Sequence, residues 1–441
     1  MQMRVKSPLV NADSPAGQLF TVLLAIGFAI VLCVFPACKA RVADEVYVRR
    51  LPSGLAEHVS DPGYFLGEPR FDLDLIFSEG RGYGIEVAMD GTVLVNTRTS
   101  GLKRSKNGGR TWQAFDGPAG GVWVVDEESG DIMILDLGTE GSGAYANPVD
   151  FSDPSKGYRF RLMRSRDHGE TWESETAIIY SDELGYLPGT GGAENGVTLK
   201  FGRYAGRLLV PARVFVNYEN STNLSPHFVD NYNSSVYSDD GGATWHASSP
   251  FPVSGTGEGA LAEISDGRVY YNSRSHVAED AKRREAWSYD GGATWQDLQV
   301  SVLPDRSGSR NFWYGCKGGL IRLPIEGHDI LIYSNIDVPK TGMRERQNVT
   351  VWASFDGAET WPVKRSVYSG FSGYSSLSAG RPGTPSEGWI YMAFEGGPRS
   401  ETLDEDTQQG IRDHNIARFN LSWILEGELT GDGELPQWTV N

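Results

Sequence analysis

The octapeptide SDDGGATW, from Ser238 to Trp245, is the third of five copies of one pattern, Ser-x-Asp-x-Gly-x-x-Trp. SKNGGRTW (Ser105 to Trp112) and SRDHGETW (Ser165 to Trp172) come before it, and SYDGGATW (Ser288 to Trp295) and SFDGAETW (Ser354 to Trp361) after it. Successive copies begin 60, 73, 50 and 66 residues apart. Asn107 stands in place of Asp in the first copy, and Ala358 in place of Gly in the last. The pattern has the chemistry of a hairpin turn. Asp or Asn bonds back to nearby amides, Gly takes backbone angles denied to other residues, and Trp offers a large apolar face with one donor. Apolar runs such as Val93 to Val95 and Val349 to Val351 flank the copies as strands do, and helical periodicity is confined to the N-terminal segment. Short strands recurring about every 60 residues predict sheets arrayed radially, a β-propeller rather than a sandwich, and about 400 residues at that period make six to seven blades.

Composition agrees. Of 441 residues 54 are Gly, about 12% against a usual ~7%, with no collagen-like period. Twelve Trp and 19 Tyr accompany them, as expected for many short strands joined by tight turns. The formal net charge of −17 excludes a general nucleic-acid binder, whose affinity rests on neutralising phosphates. Any anionic ligand must be held by a local cluster of Arg, against the field of the whole protein.

An uncharged stretch runs from Leu19 to Ala37, preceded by Arg4 and Lys6 and followed by Cys38-Lys39-Ala40 with small residues at cleavage-site offsets. It reads as an export signal cleaved after Ala40, giving a secreted or periplasmic protein; the alternative is a membrane anchor over residues 19–37. Cleavage there would remove Cys33 and Cys38 and leave Cys316 alone, without an intramolecular disulfide. The expected organisation is a signal or anchor over 1–40, a lead-in over 41–75, a propeller over 76–430 and a tail over 431–441.

The five repeats resemble the Asp-boxes of the sialidase superfamily. Four further segments resemble the exo-sialidases (neuraminidases), in that family's order along the chain. The first is Arg81, ten residues before the Gly91-Thr-Val-Leu-Val95 strand. The second is Gly257-Glu-Gly-Ala-Leu-Ala-Glu263 followed by Tyr270-Tyr-Asn-Ser-Arg-Ser275. The third is Arg346-Gln-Asn-Val-Thr-Val351, and the fourth Gly373-Tyr-Ser-Ser-Leu377. Ile390 to Glu395 and Ile416 to Leu421 are similar to the family's closing strands. The resemblance implies an all-β, six-bladed, sialidase-like β-propeller. Its implied roles are Tyr374 as nucleophile, Glu258 as the base beside it, and Arg81, Arg274 and Arg346 as a triad on the substrate carboxylate. Glu395 would steady Arg81, and Arg98 is grouped with the substrate-binding residues; Glu263 is read as structural.

These residue types suit that chemistry. Three guanidiniums give a sugar carboxylate planar, bidentate hydrogen bonds that Lys cannot imitate. The same anion repels a carboxylate nucleophile at the adjacent anomeric carbon, whereas a neutral phenol deprotonated as it attacks escapes the repulsion. One component departs from the family. It places an acidic Asp between the first strand and the first Asp-box, but Thr99-Ser-Gly-Leu-Lys-Arg104 contains no carboxylate. Glu194, in Gly191-Gly-Ala-Glu-Asn-Gly196, is the candidate replacement, on the expectation that its Gly-rich loop carries it to the rim. The resemblance thus implies an exported hydrolase acting with retention on sialylated glycans, without metal or cofactor. The alternatives are a propeller that binds sialic acid without turnover, a hydrolase of another anionic sugar, and a structural propeller.

Overall fold

A computed structural model of the protein describes residues 62–78, 82–97, 101–118, 120–137, 146–148, 157–215, 230–277, 280–305, 315–338, 346–397 and 413–439. The chain divides into two units, Met1–Glu45 and Val46–Asn441, and all described residues belong to the second. The expected signal or anchor segment lies outside the described residues. No helix among those described is long and apolar enough to cross a membrane.

The architecture is all-β and mostly antiparallel. After β1 (Phe71–Phe77), the strands β2 (Gly82–Val87), β3 (Val93–Thr97), β4 (Gly101–Ser105) and β5 (Gln113–Phe115) form a four-stranded meander. The next run is β6 (Val122–Val125), β7 (Ile132–Leu135), the short β8 (Ala146–Pro148), β9 (Tyr158–Ser165) and β10 (Glu173–Tyr180). It is joined to β11 (Val197–Thr198), β12 (Leu208–Phe215), β13 (Asn231–Ser238) and β14 (Thr244–Ala247) by parallel pairing of β10 with β14. A separate meander follows: β15 (Thr256–Glu263), β16 (Val269–Ser275), β17 (Lys282–Ser288) and β18 (Gln296–Pro304). Last come β19 (Gly319–Arg322), β20 (Leu331–Ile336), β21 (Gln347–Ser354), the long β22 (Val363–Ala379), β23 (Ile390–Gly396) and β24 (His414–Phe419). The short helix α1 (Leu421–Leu425) and β25 (Glu428–Leu429) end the series.

Two features tie this array together. The first half of β22 pairs with β21 and its second half with β23, so one strand serves two sheets. The far side of β24 pairs with β1, Phe71 opposite Phe419, so the first strand completes the last sheet. This corrects the expected boundary at residue 75: Phe71 to Leu75 are strand, not lead-in. The expected tail is likewise built in, since Asp432 accepts from the Trp361 amide at 2.9 Å and Trp438 packs edge-on to Phe355.

Each Asp-box turns the chain from the third to the fourth strand of a sheet, and its sequence explains its hydrogen bonds. In the third copy Ser238 Oγ donates to Asp240 Oδ1 at 2.9 Å and accepts from Gly242 N at 2.8 Å. Asp240 accepts from the amide and hydroxyl of Thr244 at 2.9 and 2.6 Å. In the first copy Asn107 reverses one partnership, donating from Nδ2 to the Thr111 hydroxyl at 2.8 Å. Two successive left-handed residues make the turn, Gly241 at φ 69° and Gly242 at φ 89°. Ala358 holds the second of these positions at φ 76°, at a cost of about 1–2 kcal/mol relative to a right-handed residue.

The Trp of the box is a plug, but not in every copy. Trp245, Trp295 and Trp361 are buried, whereas Trp112 and Trp172 are half-exposed. Trp245 packs among Met133, Leu135, Val210 and Val236, and its indole N–H donates to Gly242 O at 2.9 Å. Trp245→Ala should therefore destabilise the fold by about 3–5 kcal/mol, read as a lowered urea midpoint; Trp172→Ala should cost clearly less.

Candidate active site

Glu258 owes its position to a β-bulge. Gly257 pairs with Arg274 and Gly259 with Ser273, leaving Glu258 as the extra residue of β15, in the left-handed region at φ 56°. A bulge re-aims a side chain, and a non-Gly residue at such angles is strain of the kind stored at functional sites. The flanking glycines are required by space. A Cβ on Gly257 would lie 2.4 Å from Asn231 Nδ2, and one on Gly259 would lie 2.3 Å from the Tyr271 ring. On the other side Gly192 leaves room for Glu258 itself, since its Cβ would fall 2.8 Å from Glu258 Cγ.

The bulge turns Glu258 toward Tyr374, whose hydroxyl donates to Glu258 Oε1 at 2.8 Å. Arg274, near the end of β16, donates through Nη1 to Glu258 Oε2 and reaches the Tyr374 oxygen at 3.3 Å. Arg346, just before β21, places its guanidinium 4.9 Å from the centre of the Tyr374 ring. One of its nitrogens, Nη2, donates to Gly315 O at 3.3 Å, while buried Nε and Nη1 have no hydrogen-bond partner among the described residues. Tyr374 sits in the second half of β22, the strand shared between two sheets, and Glu395 at the end of β23 lines the same small pocket, fully buried. Arg81 and Arg98 lie outside the described residues.

Burial dominates the electrostatics and the neighbours decide its sign. Burial raises the Glu258 carboxyl, but the surrounding charges, Arg274 first, outweigh it and hold the group well below the usual carboxylate range. Burial together with the Glu258 carboxylate pushes the Tyr374 phenol up to about 12, with Arg274 and Arg346 opposing. At rest Glu258 is therefore the anion and Tyr374 keeps its proton. His276, buried beside them, is kept neutral by burial and by the charge of Arg274.

Glu194 is not at the rim, and here the structure corrects the sequence. The Gly191 to Gly196 loop runs inward behind Glu258, with Glu194 N donating to Gly259 O at 3.1 Å. Its carboxylate is buried, paired with Lys317 Nζ at 2.8 Å and accepting from the Ser376 hydroxyl. Burial raises its pKa, with Lys317 and Ser376 opposing. Glu194 therefore sits beneath the site. Further along lies a cavity of about 110 Å³ lined by Glu86, Glu127, Lys200, Glu263, Arg322 and Arg381. Among the described residues no group of three His, Cys, Asp or Glu side chains is placed to hold a metal ion.

A family model described as a BNR repeat-like domain matches residues 121–384. The chain is 28% identical over 376 residues to a sialidase of Micromonospora viridifaciens, covering 80% of this chain and 50% of that protein. It is 28% identical over 310 residues to a sialidase of Bacteroides fragilis, covering 63% of this chain and 51% of that one. The chain belongs to the sialidase family with BNR repeats. It spans about half the length of these curated relatives. Its fold is similar to that of the NanB sialidase from Streptococcus pneumoniae, with a TM-score of 0.56 at 13% identity over 80% of this chain and 71% of that one. Such sialidase structures are β-propellers.

Within this family member, sequence reasoning missed the groups that support the site. Lys317 follows Cys316 at the approach to β19 with no motif around it, and its pairing with Glu194 spans 123 positions. Glu263, by contrast, is structural as read: it accepts from the Phe201 amide at 3.2 Å and the Lys200 amide at 2.5 Å. Burial pushes its carboxyl up to about 8. A carboxyl raised on folding favours the folded state below its unfolded pKa, and that contribution is lost as pH rises through the folded value. Stability should thus fall between about pH 4.5 and 8, and Glu263→Gln should flatten this fall in melting temperatures measured across that window.

Proposed function

We propose that the protein is a glycoside hydrolase that removes terminal sialic or related nonulosonic acids from glycans with retention at the anomeric carbon. The observation that carries this reading is the Tyr374 hydroxyl 2.8 Å from Glu258, with Arg274 at 3.3 Å and Arg346 against the ring. The N–H groups of buried Arg346 that find no acceptor among the described residues support an anionic ligand, because a desolvated guanidinium left without acceptors is costly. Arg81 is proposed as the third arginine, Arg98 as a further contact at the mouth, and buried Glu395 as the group that steadies Arg81.

In the proposed reaction the substrate carboxylate enters between the arginines and competes with Glu258 for Arg274. Losing that partner makes Glu258 more basic. Tyr374 Oη then bonds to the anomeric carbon, its proton passes to Glu258, and the glycosidic C–O bond breaks. Water displaces the tyrosine in the second half and gives its own proton to solvent, replacing the one the leaving oxygen took, while Glu258 returns its proton to the phenolate. A pair that binds only an anion has no use for a phenol bonded to a carboxylate, which favours turnover over simple binding. The strand pairing supports six four-stranded blades, with β22 shared between the last two and β10–β14 joining the second and third. The uncharged stretch from Leu19 to Ala37 supports export, or anchoring, to where glycans are exposed.

No carboxylate lies between Thr97 and Ser105, and Glu194 is bonded to Lys317 and Ser376 below the floor. On this reading the leaving oxygen takes its proton from solvent. General acid catalysis contributes about 10²–10⁴-fold to such a step, so an aryl sialoside with an acidic phenol should be cleaved faster than sialyl-lactose by about that factor. Equal rates on the two substrates would reveal an acid elsewhere. Tyr374→Phe should abolish turnover while an unsaturated sialic-acid analogue still binds within about tenfold, since ring packing and arginine contacts survive. Full activity in that folded variant would remove Tyr374 as nucleophile.

A further inference from the structure

Arg274 and Arg346 are like charges buried close together, each held from more than one side. Between them runs the segment Gly315-Cys316. Gly315 O accepts from Arg346, and a Cβ on Gly315 would lie 2.6 Å from Arg274 Cγ and 2.8 Å from Asp305 Oδ2. Gly315 is also left-handed, at φ 72°. One residue therefore touches both arginines, and only a residue without a side chain fits there.

The segment is clamped from behind by a buried ion pair. Cys316 N donates to Asp305 Oδ1 at 2.7 Å, and Cys316 O accepts from Arg283 Nη1 at 2.8 Å. The same Nη1 donates to Asp305 Oδ2 at 3.0 Å, while Arg283 Nε donates to Asn272 Oδ1. Arg283 is completely buried and Asp305 nearly so. A buried pair of this kind contributes little net stability over apolar side chains of the same volume. Arg283 lies on the third strand of its sheet, fully buried between the partly buried Lys282 and Arg284.

We infer that Asp305 and Arg283 are positioning residues that, through Gly315-Cys316, set the separation of Arg274 and Arg346 to fit the two oxygens of one carboxylate. This rests on reading the two arginines as carboxylate ligands. Guanidinium–carboxylate recognition depends on geometry as well as charge, so loosening the clamp should cost discrimination in addition to the stability lost with a buried partner.

The test uses the full chain as wild type, Asp305→Asn and Gly315→Ala, titrated with an unsaturated nonulosonic acid and with its carboxamide. Wild type should prefer the carboxylate. Both variants should lose about tenfold of that preference while the carboxamide affinity stays close to wild type and unfolding remains cooperative, at a lowered melting temperature because a buried partner is lost or a side chain is forced in; KM should rise more than kcat falls. An unchanged preference, or parallel weakening of both ligands, overturns the inference. A wild type with no preference for the carboxylate overturns the underlying reading of the arginines instead. If Gly315→Ala does not fold, Asp305→Asn alone decides, with Arg283→Lys as the second variant.

Discussion

The structure depends on the buried pair of Glu194 and Lys317 beneath the site. Lys317 approaches β19, Glu194 precedes β11 and bonds the backbone of β15, and Ser376 of β22 completes the contact. The neighbouring Asn195 donates to Ile85 O at 2.8 Å and to Glu86, bringing in β2. Strands from sheets far apart in sequence thus meet through polar groups that have no water to turn to. Removing one charge of such a pair leaves the other desolvated and typically costs 3–5 kcal/mol, although the intact pair contributes little. The pair joins the approach to β19 with the loop before β11.

The chemistry of the site follows from that convergence. Glu258 and Tyr374 are brought close to each other where β15, through Gly259, and β22, through Ser376, both bond to Glu194, and nearby Gly192 leaves the space Glu258 occupies. The strain of Glu258 at φ 56° is sustained by the packing of Asn231, Tyr271 and Arg274 around the bulge. Opposed charges held at fixed distance keep one proton on the phenol and leave the carboxylate bare.

Much of this was legible in the chain. The Asp-boxes announce their turns because Ser, Asp, Gly and Thr bond within eight residues, and the structure repeats the same hydrogen bonds in the four copies that carry Asp. Glu258, Arg274 and Tyr374 were marked by local motifs and are brought within hydrogen-bonding reach. Glu194 was misplaced because glycine-rich loops usually signal exposure, and nothing near it in sequence announces Lys317. Phe71 was assigned to a lead-in because its partner, Phe419, lies at the other end of the chain.

The sequence by itself determined the all-β class, the turn at each Asp-box and the residue types available to the site, since these follow from side chains acting over a few neighbours. Only the tertiary structure decided which charges meet. It buried Glu194 against Lys317, set Asp305 and Arg283 behind the two arginines, and shared β22 between two sheets. Those outcomes come from closing the array on itself, where long-range contacts and desolvation set each partner, and neither quantity is written in local spacing.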